Sequence, residues 1–145
     1  MSVPDLRRLL QESHRLLAGE LVEGLVERGY PDVRPGHLAV FQHIDRRSGT
    51  RLTDLAGRAH MSKQGMMLVV DDLESRGYVR RVPDPQDARA KVVRLTARGR
   101  RAAAEARRAV VALEVRTRRQ LGDRRYDSLR ESLEVLTSSD LTEEA

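Results

Sequence analysis

Between Arg76 and Arg101 the chain sets nine basic side chains (Arg76, Arg80, Arg81, Arg89, Lys91, Arg94, Arg98, Arg100, Arg101) against only Asp84 and Asp87. The net +7 of this stretch exceeds the +5 of the whole protein, so the remainder is slightly acidic. Guanidinium and ammonium groups donate charge-assisted hydrogen bonds to oxyanions. Concentrated in one segment, they suit a polyanion, nucleic acid first and an anionic membrane surface second. Just upstream, Ser62, Lys63, Gln64 and Met67 are residue types suited to base edges and phosphates. Glutamine can pair with adenine in bidentate fashion, lysine can contact guanine or phosphate, and a methionine can touch a thymine methyl.

For such chemistry to converge, Ser62 to Met67 must open a helix and the arginines must ride on short strands. The periodicity predicts both. Leu52, Leu55, Ala56 and Ala59 mark a short apolar helix, His60-Met61-Ser62 is a tight break, and Ser62 is a natural N-cap. Met66, Val69, Val70 and Leu73 then line one face until Gly77 ends the helix. Two helices joined by so short a turn make a helix-turn-helix pattern. Leu68 is expected to pack rather than to read bases. "YVRRV" and "KVVRL" bracket "PDPQDARA", which predicts a hairpin with a long, stiffened tip. Strand alternation puts Arg80 and Arg81 on opposite faces, so one of the two should face a partner.

The flanks are helical. A first helix is expected from Pro4 to about Arg28, with Ser2 and Pro4 at its start and Gly29 with Pro31 at its stop. Leu38, Phe41 and Ile44 define a second. Thr96 can cap a long helix from Ala97 to about Gln120. After Gly122-Asp123, Tyr126, Leu129, Leu133 and Leu136 mark the last helix, and the acidic tail "SSDLTEEA" is expected to fray. The fold class expected is mainly α with one small β-hairpin.

Several functions are disfavoured. There is no cysteine, which removes disulfides, thiolate zinc sites and thiol nucleophiles. His14, His37, His43 and His60 lack flanking ligands at metal-binding spacing, so no metal is expected. Nucleophilic triads, phosphate-binding glycine loops and paired carboxylates are missing, so neither an enzyme nor a cofactor is expected. The longest apolar run, "MMLVV", falls far short of the roughly 18 residues of a membrane span, and charges interrupt the N-terminal residues. A cytoplasmic protein with no membrane partner is the expectation.

From Leu52 to Arg100 the sequence resembles the MarR family of winged helix-turn-helix transcriptional regulators. The residues that carry the likeness are "LA" at Leu55-Ala56, "VDDLESRGYVRR" at Val70 to Arg81, "DPQDARAK" at Asp84 to Lys91 and "LTARGR" at Leu95 to Arg100. The resemblance implies a single MarR-like domain, 1–145. In it, about 35–96 form the DNA-binding lobe, and about 4–28 and 97–140 form dimerisation helices. It further implies a homodimeric repressor on double-stranded DNA with a pseudo-palindromic operator, its half-sites roughly 34 to 36 Å apart. Leucine faces on the flanking helices, with no other element large enough to cover them, point the same way.

By the same resemblance, Ser62, Lys63, Gln64 and Met67 contact the major groove and Arg89 enters the minor groove. Lys91 and either Arg80 or Arg81 hold phosphates, and Asp87 orients Arg89 or stiffens the loop. Arg94, Arg98, Arg100 and Arg101 either add contacts or form internal ion pairs with Glu74, Asp71 or Asp72. A small aromatic or phenolic ligand that releases the operator is implied, with His14, Tyr30, His37, Phe41 and His43 placed to line its pocket. Taken singly, each of these five reads first as an ordinary half-buried core residue. The alternative function is an architectural winged-helix protein that binds DNA without sequence choice or ligand response.

Overall fold

A carboxylate just before a leucine-rich run starts the first helix: Asp5 accepts a hydrogen bond from the Arg8 amide at 2.8 Å, and α1 spans Leu6–Glu27. The computed structural model describes residues 3–138. Ser2, expected at the helix start, and the tail beyond Ser138 lie outside the described residues. After α1, a 3-10 turn (Pro35–His37) leads into α2 (Leu38–His43). Then follow β1 (Thr50–Arg51), α3 (Leu52–Arg58), α4 (Lys63–Ser75), β2 (Val79–Asp84), β3 (Asp87–Leu95), α5 (Ala97–Leu121) and α6 (Asp123–Ser138). The mainly helical class with a small sheet is as expected.

The chain divides into two compact units, one up to Val110 and one from Val111 on, so the boundary falls within α5. The core of the first unit is built where apolar periodicities meet: Leu25, Val40, Leu55, Met66, Val70, Leu73, Tyr78, Val79 and Val93 are almost fully buried. In the second unit Tyr126 is buried, with the Arg118 guanidinium 4.4 Å above its ring. Arg118 also pairs with Asp123 at 3.1 Å and Asp127 at 2.9 Å, and Arg130 pairs with Glu114 at 3.2 Å.

The sheet corrects the hairpin reading twice. It has three antiparallel strands in the order β1-β3-β2, because Thr50 and Arg51 pair with Val93 and Val92. Gly49 makes that approach possible: its φ is 74°, and a Cβ there would lie 2.6 Å from the Val93 carbonyl oxygen. The tip is also short rather than long, since β2 continues to Asp84, β3 begins at Asp87, and only Pro85 and Gln86 turn the chain. Pro83 stays in register opposite Lys91. A strand can keep a proline when it lies at the sheet edge, as β2 does.

The exit from the sheet is set by "LTARG". The Thr96 hydroxyl receives the Gly99 amide at 3.0 Å and donates to the Gly77 carbonyl at 2.6 Å, which joins the N-terminus of α5 to the end of α4. Gly99 is buried, and a Cβ on it would lie 1.9 Å from the Tyr78 carbonyl oxygen. Only glycine lets α5 cross this close.

Candidate nucleic-acid interface

α4 is held from behind. Ser62 is its N-cap, accepting from the Gly65 amide at 3.0 Å. Met66, Val70 and Leu73 are buried against the core. At about 100° per residue, the opposite face carries 63, 64, 67, 68 and 71. Lys63, Gln64, Met67, Leu68 and Asp71 are indeed exposed. Leu68 corrects an expectation: it does not pack but is 71% exposed beside Met67 at 40%. It follows Met66 by two positions, which turns it to the far side of the helix, a phase that the periodicity already contained.

The wing carries its charges unevenly. Arg81 is drawn onto α4, where its guanidinium meets Asp71 at 2.6 Å and Glu74 at 2.9 Å, leaving its side chain 24% exposed. Its amide also donates to Glu74 at 3.0 Å. Arg80 points the other way and is exposed, directly across the ladder from Arg94. Facing like charges are unfavourable on a sheet, and Arg94 is turned aside by a 2.7 Å bond to the Arg47 carbonyl. Arg89 and Lys91 are exposed on β3. The Arg89 amide donates to Asp87 Oδ1 at 3.1 Å, so Asp87 stiffens the turn as expected. Among the described residues, the side chains of Lys63, Arg80, Arg89 and Lys91 have no hydrogen-bond or ion-pair partner.

The remaining arginines also correct the expected pairings. Arg98 pairs with Asp32 at 3.1 Å, not with the α4 carboxylates. Arg100 donates to the Leu95 carbonyl at 3.2 Å. Asp72, expected to serve that group, instead meets Arg76 at 3.0 Å and His37 at 2.6 Å. Those bonds, the one from His37 foremost, hold the Asp72 carboxyl below its usual range.

Asp32 is a hub that the sequence reasoning missed. Its Oδ1 accepts from the Tyr78 hydroxyl at 2.5 Å, its carbonyl from Arg76 at 3.1 Å, and its carboxylate from Arg98. Arg98 lies 4.4 Å over the Tyr78 ring. Burial works to raise the Asp32 carboxyl, but the bond from Tyr78, a backbone amide and the two arginines outweigh it and the net direction is downward. Burial first, then the adjacent Asp32, push the Tyr78 hydroxyl up to about 12. Only the Leu-Thr-x-x-Gly-Arg exit at Leu95 to Arg100 hinted at this junction; Asp32 lies too far along the chain for spacing to reveal it.

Of the residues expected to line a ligand pocket, Phe41 and Tyr30 pack on Tyr78 with ring centroids 5.9 and 6.3 Å away. His37 is buried with both nitrogens engaged, Nδ1 accepting from the Arg34 amide at 3.0 Å and Nε2 facing Asp72. His43 is half-buried and His14 is exposed on α1. Among the described residues no group of three or more acidic or histidine side chains is placed to hold a metal ion, and no helix is long and apolar enough to cross a membrane.

The sequence profile of the MarR family matches residues 31–90, the span from the Asp32 hub through the wing tip. Over that span the chain is similar to the MarR family. It is similar to the structure of CouR from Rhodococcus jostii RHA1 bound to p-coumaroyl-CoA, at 26% identity and a TM-score of 0.73 over 96% of each chain. The repressor CouR bound to a 23-mer DNA duplex shares 23% identity and a TM-score of 0.76 over 92% of each chain. The reduced form of MarR from E. coli shares 21% identity, with a TM-score of 0.78, over 94% of this chain and 98% of that one. These last two attest the fold. No curated protein sequence matches significantly.

Proposed function

We propose that this chain is a homodimeric repressor of the MarR type that reads a pseudo-palindromic operator and leaves it when a small ligand binds. The observation that carries the reading is the unpartnered set on α4 and the wing: Lys63, Gln64 and Met67 on one helix face, with Arg80, Arg89 and Lys91 exposed on the strands. Cations without internal acids keep their full charge for phosphates. In this reading Ser62, Lys63, Gln64, Met67 and the exposed Leu68 face the major groove, and Arg89 enters the minor groove, where a narrow A·T tract concentrates negative potential. Lys91 and Arg80 hold the backbone; Arg81, already paired, fixes the wing to α4. The CouR complex with duplex DNA supports the assignment by fold.

The lobe of about 35–96 would bind DNA, and helices within 4–28 and 97–140 would pair two copies. Exposed Leu6, Leu9, Leu16 and Leu17 on α1, and Val111, Leu129 and Leu136 on α5 and α6, support pairing, because water-exposed leucine faces are covered favourably by a second copy. The CouR structure holding p-coumaroyl-CoA supports an aromatic ligand. Tyr30, Phe41, His43 and His14 would line its site, with His37 behind them.

Selection of bound fragments from randomised duplexes tests the function. The expected product is a pseudo-palindrome with half-sites about one helical turn apart, and its complex should dissociate as p-coumaroyl-CoA or p-coumarate is titrated in. Equal affinity for selected and random duplexes at physiological salt would replace this reading with the architectural one.

A further inference from the structure

We infer that Arg51 and Asp84 form a latch that sets the pitch of the wing against α4, making both positioning residues for the groove contact of Arg89. This rests on the operator-binding reading above. Arg51 is rooted in the helix-turn-helix: it ends β1 and is the N-cap residue of α3. Asp84 ends β2, beside the shift in register between Pro83 and Asp84 that takes it out of strand alternation. The two carboxylate oxygens divide their work. Oδ2 receives Arg51 Nη2 at 2.7 Å and Nε at 2.9 Å, while Oδ1 receives the Gln86 amide at 2.9 Å and closes the turn. The next carboxylate, Asp87, accepts the Arg89 amide. Polar contacts therefore lead from the start of α3 to Gln86, and Asp87, next along the chain, holds the amide of Arg89, the residue proposed to enter the groove.

The burial pattern says why a latch is needed. No residue from 83 to 91 is buried, so apolar packing fixes the wing only as far as Val82 and Val92. Within that exposed tip only Asp84 and Ala90 are partly withdrawn, and the Asp84 side chain is 12% exposed against 43% for Arg51. The Asp84 carboxyl sits below its usual range because of the Gln86 amide and then Arg51. The other acids near Arg51 are Asp54 on α3 and Asp87 on β3. Neither is bonded to it.

Full-length Arg51→Gln and Asp84→Asn proteins, with Arg51→Lys as the conservative control, test the latch in two measurements. In DNA-free protein, hydrogen exchange at the 84–91 amides should quicken in Arg51→Gln and not in Arg51→Lys, with α4 amides unchanged. On the selected operator, Arg51→Gln and Asp84→Asn should each lose about fivefold in affinity with A·T-rich flanks and little with G·C-rich ones. In an Arg89→Ala background, Asp84→Asn should add nothing. Unchanged tip exchange in Arg51→Gln overturns the latch whether or not DNA binds. Equal losses on both flanks, or an undiminished loss without Arg89, overturn its positioning role. If Asp84→Asn fails to fold, Arg51→Gln carries both readouts. A wild-type protein that does not discriminate the operator defeats the functional reading, while the exchange measurement still decides the latch.

Discussion

Arg98 at the base of the wing and Arg89 near its tip carry the same guanidinium into opposite environments. Arg98 is met by Asp32 and the Arg76 carbonyl and lies against the Tyr78 ring. The Arg89 side chain is exposed and faces no acid among the described residues. At the base, charges join the loop after α1, the end of α4 and the start of α5 into one junction. At the tip, charge is kept for something outside the chain. Thus the +7 of the basic segment overstates the interface, since Arg76, Arg81 and Arg98 are committed internally. What separates a structural arginine from a binding one is whether a carboxylate is brought to it by the fold.

Substitutions at the two ends should therefore separate stability from binding. The largest effect is expected at the base: Gly99→Ala forces a methyl into the Tyr78 carbonyl and should cost about 3 kcal/mol in denaturant unfolding. Tyr78→Phe removes the hydroxyl bonded to Asp32 and should cost about 1 to 2 kcal/mol. It should also change the alkaline limb of stability. The folded hydroxyl, raised from 10.0 to about 12, keeps its proton where an unfolded tyrosine has lost it, so this contribution is complete below pH 10 and lost as pH rises toward 12. The melting temperature should fall across that window less steeply in Tyr78→Phe than in wild type; equal slopes would separate Tyr78 from the junction.

At the tip the pattern should invert. Arg89→Ala should leave unfolding within about 0.5 kcal/mol of wild type. Its operator affinity should fall about tenfold with A·T-rich flanks and less with G·C-rich ones. Equal losses would make it a simple phosphate contact. The smallest effect is expected for Lys91→Ala, a uniform weakening on all sequences with the salt slope reduced by about one, read from binding isotherms over a salt series.

What could be read in the sequence was local. Ser62 and Thr96 cap helices as their positions suggest, and Met66, Val70 and Leu73 turn inward as their spacing requires. The same spacing turns Leu68 outward, where its apolar character alone suggested packing. What escaped was long-range. β1 has two residues and no period to detect, and Arg51 meets Asp84 only because Gly49 brings that short strand under β3. Asp32 looks like any loop aspartate until the fold places Tyr78, Arg76 and Arg98 around it.

Pro83 has one more consequence. It lies on β2, one of the two outer strands of the sheet, across from Lys91. An outer strand offers unsatisfied backbone groups on which a neighbouring molecule's strand can add, the first step toward strand-exchanged and fibrillar assemblies. Proline contributes no amide hydrogen to that edge, and the exposed charge of Arg80 lies on the same strand. The residue that helps shape the wing thereby also makes its edge a poorer template for another strand.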